Sequence, residues 1–346
     1  MAFQGRKYES IISFLQDAPN PFQDALDKKN EALTPNEKEQ TALSNLVTKV
    51  QTVLDDLIVS PVLEDLVVEE VRQVGANKKG TMVTGTNVAE IVVVLKTLPT
   101  KEAVETLGKK VWETMMQKDP IKGLKLIPNE RGFDLTSPGR PGATAAMHVT
   151  TIIPNLRKLD AALHIDAKIL SSAHSLIRQS RWFEENVKEE SIKKMTRLLH
   201  DLKRRFQGFA PLSSWMLDLL AHYCILNTPS RQPLTLGQGY KRFFKILSAG
   251  FFLPGSAGIV DPCESGAARV HTAMNLEEQD QVCLTAQTLI RVLSHDGYKQ
   301  VLGISGSASI ATEMSVWDGV VVSPHERAYT KPEPKKDDTE MEVDKA

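Results

Sequence analysis

Cysteine is scarce in this chain: Cys224, Cys263 and Cys283 are the only three in 346 residues. Three scattered thiols build neither a disulfide framework nor a zinc cluster, and an odd number fits a reducing compartment. A signal peptide is missing too, because Met1 to Ser10 is mixed and polar, with Arg6 and Lys7 but no apolar stretch after them. Apolar runs are short, and Ile91 to Leu95 falls far below the roughly 20 residues of a membrane helix. Charge excess is absent: 42 Lys and Arg against 43 Asp and Glu leave a net charge of -1. A dedicated nucleic-acid binder carries a clear basic excess, so strong autonomous binding is not expected. The eight histidines show no metal-ligand spacing, and neither a metal nor a cofactor is expected. What remains is an ordinary soluble intracellular composition, 41% hydrophobic and 25% charged, long enough for two modest lobes.

Residues 1–30, with Pro19 and Pro21, read as a flexible arm. Thr34-Pro35-Asn36-Glu37 then reads as a helix start, with Thr34 as cap and Pro35 at the first helical position. Leu43, Leu46, Val47, Val50, Val53, Leu54 and Leu57 follow at helical spacing, a stripe that packs a core. Val67 to Val74 and Glu90 to Leu95 are valine-rich strands on either side of a glycine-punctuated loop, Gly75 to Gly85. A helix is expected from Thr100 to Gln117, a loop from Asn129 to Gly142, and a strand from His148 to Ile153. From Asp166 onward the apolar spacing is nearly all helical, with stripes at Ile169 to Ile177, Ile192 to Phe206, Leu212 to Leu226, Thr235 to Gly250 and Val282 to Leu293. The pattern predicts an α/β architecture: a mixed β-sheet lobe with helices at 31–160 and an α-helical lobe at 161–330. Residues 331–346 are Pro, Lys, Asp and Glu with almost nothing to bury, and are expected to be disordered.

A strand, a Gly-rich turn and a second strand bearing carboxylates is how one nucleotidyltransferase superfamily holds a triphosphate and two metal ions. Carboxylates two residues apart on a strand point to one side and can share those metals. Gly75 to Leu95 resembles the active-site region of the oligoadenylate synthetases, including Lys79-Gly80-Thr81 and Gly85. That resemblance puts the phosphate-binding Gly-Ser pair on Gly75-Ala76, the carboxylate pair on Val88 and Glu90, and the third carboxylate on Thr151. Gly75, Gly80, Thr81 and Glu90 would be remnants of a nucleotide pocket, while Ala76, Val88 and Thr151 have lost its chemistry. Valine cannot coordinate Mg²⁺, so an inactive homologue is expected. The spacing of Gly75 and Gly80 also matches a P-loop, but Thr81-Met82 stands where Lys and Ser or Thr are required.

A wider likeness runs over almost the whole chain. Val71-Arg72-Gln73-Val74-Gly75, Asn155 to Asp160, Arg181-Trp182-Phe183-Glu184-Glu185-Asn186, Phe252 to Ile259, Asp261 to Gly266 and Trp317-Asp318-Gly319-Val320 resemble the DZF-domain family (domain associated with zinc fingers). The resemblance implies a two-lobed nucleotidyltransferase-like fold without activity. It implies heterodimerisation with a second DZF protein of the interleukin enhancer-binding factor 3 or zinc-finger RNA-binding protein type. Such complexes are nuclear, with a cytoplasmic share, and act in transcription regulation and in RNA processing and stability. RNA, and in some cases DNA, would be contacted mainly through the complex, with no membrane involved. Vertebrate relatives begin with an Arg-Gly-rich tail, a pattern that Met1 to Arg6 does not match. The alternative class is a residual nucleotidyltransferase or a nucleotide-sensing protein.

Several other features have a structural and a functional reading. Lys193, Lys194, Arg197 and Arg204 share a helix with Lys203 and Arg205, which reads first as a solvated face and second as a phosphate contact. Trp182, Trp215 and Trp317 read as core or interface packing. Cys263 has no base near it in sequence, so the segment around it is a turn fixed by Pro254, Gly255, Gly258 and Pro262. Phe251, Phe252, Ile259 and Trp317 are the dimer-interface candidates, since the helical half carries more apolar material than one lobe readily buries.

Overall fold

The computed structural model describes residues 20–59 and 66–304, together with the backbone of 316–317 and 320–321. Where a free arm is expected, residues from 21 on form a helix, α1 (Pro21–Leu33). Asn20 caps it by accepting from the Gln23 N–H, Pro21 opens it, and Phe22, Leu26 and Leu33 are buried in the helical lobe. Helical spacing of these three supplies the burial that holds the segment down; residues 1–19 lie outside the described set. Thr34 donates to the Asn30 carbonyl and so closes α1 rather than opening the next helix. The cap of α2 (Glu37–Val59) is Asn36, whose Oδ1 accepts from the Glu39 N–H while Glu39 Oε2 accepts from the Asn36 N–H, each at 3.0 Å. Glu39 then reaches the glycine loop, accepting from Gly85 N–H at 2.9 Å and Thr84 Oγ1 at 2.8 Å.

β1 (Val68–Val74) runs into a one-turn helix, α3 (Gly75–Lys79), and β2 (Val88–Leu95) follows. α4 (Lys101–Lys118), capped by Thr100, leads to β3 (Lys125–Asn129), β4 (Gly132–Ser137) and β5 (Ala143–Thr151). The expected loop over 129–142 therefore contains most of a hairpin, whose alternation is short and interrupted by Pro128, Asn129 and Gly132. Sheet order is β1-β2-β5-β4-β3, with β2 and β5 parallel and the other neighbours antiparallel. Ile91, Val93 and Leu95 on β2 join Ala145, Met147 and Val149 on β5 in a core closed by α2 and α4. Val92 and Val94 face the other way, toward Ala173 on α5 (Ala167–Asn186).

α5 belongs to both lobes: Leu170 enters the sheet core and Phe183 the helical core. Beyond it come α6 (Glu190–Arg205), α7 (Ser214–Leu226), α8 (Leu236–Ser248), α9 (Leu276–Ser294) and the short α10 (Tyr298–Val301). Their core is aromatic and aliphatic, with Tyr240, Phe209, Phe243, Phe244 and Phe252 among its fully buried side chains. Val282, Ala286 and Leu289 of α9 are integral to it. Two short strands, Val316–Trp317 and Val320–Val321, pair antiparallel; the rest of the chain after 304 lies outside the described residues, the expected tail at 331–346 included. Among the described residues no helix is long and apolar enough to cross a membrane.

Candidate functional site

The seam between the lobes holds a cavity of about 470 Å³, lined from the sheet side by Gly75, Thr81, Glu90 and His148 and from the helical side by Gln179, His200 and Trp215. Gly75 makes this geometry possible. Its φ of 71° is left-handed, and a Cβ there would lie 1.8 Å from Glu90 Oε2, so only glycine lets the carboxylate rest against the turn. Its N–H donates to the buried Ser180 Oγ at 3.2 Å, tying the turn to α5. Gly80, with φ 70°, ends α3, and Thr81 is buried with its N–H donating to the Ala76 carbonyl. Ala76 lines the cavity and also packs on the sheet core.

Val88 and Glu90 point to one face of β2, as their spacing requires, and Val88 is 40% exposed. Thr151 is a different matter. It pairs with Leu95 at the far end of β5 and is buried, donating to the carbonyls of Leu95 and Thr97 and accepting from Asn155 Nδ2. Its side chain lies on the Leu95 side of the sheet, opposite to Glu90. The assignment of the third carboxylate position to Thr151 is therefore corrected. His148 lies on the Glu90 face of β5, with Nε2 3.4 Å from Glu90 Oε1. That nitrogen is buried, and its approach to Glu90 is longer than a good hydrogen bond. The imidazole beside it, despite the opposing effect of burial and with help from Lys79 and Arg131, holds the Glu90 carboxyl below its usual range.

The triphosphate chemistry of such a fold asks for three carboxylates around two Mg²⁺ ions. Beside Glu90, neither Val88 nor His148 carries a carboxylate. Among the described residues no three His, Cys, Asp or Glu side chains gather to enclose an ion.

Lys79 also lines the cavity. Its Nζ meets Asp218 Oδ2 of α7 at 2.6 Å, both side chains being under one-tenth exposed, and stands 5.5 Å from the Phe183 ring and 5.7 Å from Trp215. Trp215 in turn donates from Nε1 to Asp261 Oδ2 at 3.0 Å and meets Trp182 edge to face. His148 and Asp218 lie between apolar neighbours in the sequence and Asp261 precedes Pro262, but only tertiary pairing identifies their partners.

The basic residues of α6 are engaged within the fold. Lys194 pairs with Asp27 at 2.7 Å, Lys193 approaches Glu190 at 3.9 Å, and Arg204 approaches Asp201 at 3.4 Å. Arg197 donates to the Gly80 carbonyl at 2.7 Å and to Asn30 at 3.2 Å, so it fastens the glycine turn. Among the interface candidates Phe252 is 2% exposed and stacked on His271 and Phe251, so it fills the lobe's own core and presents no surface. Phe251 and Ile259 are half-buried against that core. Trp317 lies in the strand pair, its side chain outside the described residues.

A mixed sheet carrying this turn, backed by a helical lobe across a cleft, defines a nucleotidyltransferase-like fold. Solved structures agree. CdnC of E. coli MS115-1, in complex with HORMA-deltaN, is 12% identical with a TM-score of 0.57, over 84% of this chain and 95% of that one. A cytoplasmic RNA terminal U-transferase is 13% identical with a TM-score of 0.53, over 79% and 94%. Cid1 bound to its short product ApU is 13% identical with a TM-score of 0.51, over 85% and 97%. The chain itself belongs to the DZF family: residues 13–188 match the DZF N-terminal domain and residues 191–323 the DZF C-terminal domain. The boundary between the two matches falls just after α5.

Proposed function

We propose that this chain is a non-catalytic DZF subunit of the interleukin enhancer-binding factor 2 type. In this reading it pairs with a second DZF protein that carries double-stranded-RNA-binding domains or zinc fingers, and works in the nucleus in transcription regulation and RNA processing and stability. One observation carries it: Glu90 stands in the cleft with Val88 and His148, neither of which supplies the further carboxylates the two-metal reaction needs. A fold that has lost its reaction keeps its use through surfaces, and pairing is the use its family implies. Near-neutral charge and the counter-charged α6 face support nucleic-acid contact by way of the partner. The test has two arms. The purified chain should add no labelled nucleotide to any RNA end in Mg²⁺ or Mn²⁺, and light scattering should show a stable one-to-one pair with a second DZF domain. Incorporation abolished by Glu90→Ala, or a monomer indifferent to DZF partners, would overturn the reading.

A second reading, nucleotide sensing, rests on the cavity of about 470 Å³, large enough for a small-molecule ligand. Saturable binding of a nucleoside triphosphate that is weakened by Arg131→Glu would favour it.

A further inference from the structure

The donor atoms at the base of the cleft have changed type as well as number. Mg²⁺ prefers carboxylate and water oxygens in octahedral array, whereas an imidazole nitrogen beside a carboxylate suits Zn²⁺, Co²⁺ or Ni²⁺. We infer that Glu90 and His148 together form a binding site for a single divalent transition-metal ion of the zinc type. The geometry is suitable: two bonds of about 2.1 Å to atoms 3.4 Å apart meet at roughly 108°, near the tetrahedral angle.

Three further observations support the site. His148 Nε2 is buried and meets Glu90 Oε1 only at 3.4 Å, longer than a good hydrogen bond, so an ion held between the two atoms would satisfy both better. Gly75 leaves room for the carboxylate that a side chain would remove, so Glu90 is seated beside the imidazole by the turn itself. The cavity continues outward from the pair, with a side-chain exposure of 33% at Glu90, so the open positions of a tetrahedral ion face solvent. Water or one exogenous ligand completes the coordination there. Both protein ligands come from this one chain, so the site needs no pairing with another.

The test uses the full chain with Cys263→Ser, so that the half-buried thiol cannot compete. Zn²⁺ and Mg²⁺ are titrated calorimetrically, and Co²⁺ is followed by its visible absorption, which is intense only at tetrahedral sites. One saturable Zn²⁺ site is expected, at least about a hundredfold tighter than any for Mg²⁺. His148→Ala and Glu90→Gln should each weaken it more than about tenfold. Val88→Asp adds a carboxylate on the same strand face, at a partly exposed position, and should tighten it. The absence of a saturable site, or Zn²⁺ affinity unchanged in His148→Ala or in Val88→Asp, overturns the inference.

Discussion

Replacing Asp218 with alanine takes away the counter-charge of Lys79, and the consequence can be worked from the geometry. The pair is 2.6 Å apart, its side chains are 8% and 3% exposed, and it joins α3 of the sheet lobe to α7 of the helical lobe. With the carboxylate gone, an ammonium stays enclosed between the Phe183 and Trp215 rings. Ring faces attract a cation but do not replace a charge-assisted hydrogen bond. Breaking a buried pair from one side costs about 3–5 kcal/mol, because an uncompensated charge is left behind. Replacing both partners by apolar residues of similar volume costs much less. The ordering expected in thermal unfolding is therefore wild type and Lys79→Met/Asp218→Leu close together, with Asp218→Ala lowest. For a chain of this length the single variant should lose on the order of 4–7 °C. Hydrogen exchange should locate the weakening at α3 and the end of β1, where Gly75 and Gly80 are tied to α5 and α6. Equal melting of Asp218→Ala and the double variant would refute the reasoning, since the cost would then reflect lost packing rather than an orphaned charge.

Thr151→Asp, which puts a carboxylate on the core side of the sheet, should melt far below wild type, while His148→Asp, facing the cleft, should lose much less. Combined with Val88→Asp, only the His148 variant should gain saturable Mg²⁺ binding by calorimetry; gain in the Thr151 combination would refute the register argument. Burial lowers the pKa values of His200, His222 and His271, so between those values and the ordinary 6.5 the unfolded chain holds more protons than the folded one. Stability should accordingly fall as pH drops through about 6.5 and below, and His200→Gln should flatten that slope in denaturant titrations. Leu276 and Leu284, apolar and exposed on α9, should accept glutamate without loss of melting temperature yet weaken pairing with a DZF partner in light scattering. Deleting α9 would not serve as a test of pairing, because Val282, Ala286 and Leu289 hold the lobe's own core.

Features that depend on near neighbours in the chain are legible in the amino-acid sequence. The stripe from Leu43 to Leu57, the valine strands and the helical run after Asp166 each declare their own period, and each is present in the fold. The two-residue spacing of Val88 and Glu90 likewise places them on one face of a strand whatever the order of the sheet. Capping is legible only in part. Thr34 and Asn36 both precede a glutamate at a plausible distance, and the choice falls to Asn36 because Glu39 is also held by Thr84 and Gly85.

What the sequence does not supply is register. A strand's side chains alternate, so an offset of one residue between β2 and β5 moves every candidate partner of Glu90 to the other face of the sheet. The local pattern of Ala143–Thr151 alternates: Ala143, Ala145, Met147 and Val149 enter the core closed by α2 and α4, while Thr144, His148 and Thr150 occupy the other face. That period puts Thr151 on the core side with Met147 and Val149, but it does not say that His148 is the residue of β5 that stands beside Glu90. The same holds for Asp218, which sits in the nearly uniform apolar helix Ser214–Leu226 and acquires its role only when Lys79 arrives from 139 residues away. Both are polar residues enclosed by apolar neighbours, and enclosure without a local partner is the signal a sequence does carry. Burying either one unpaired would be costly, so each implies a distant partner that sequence alone does not name.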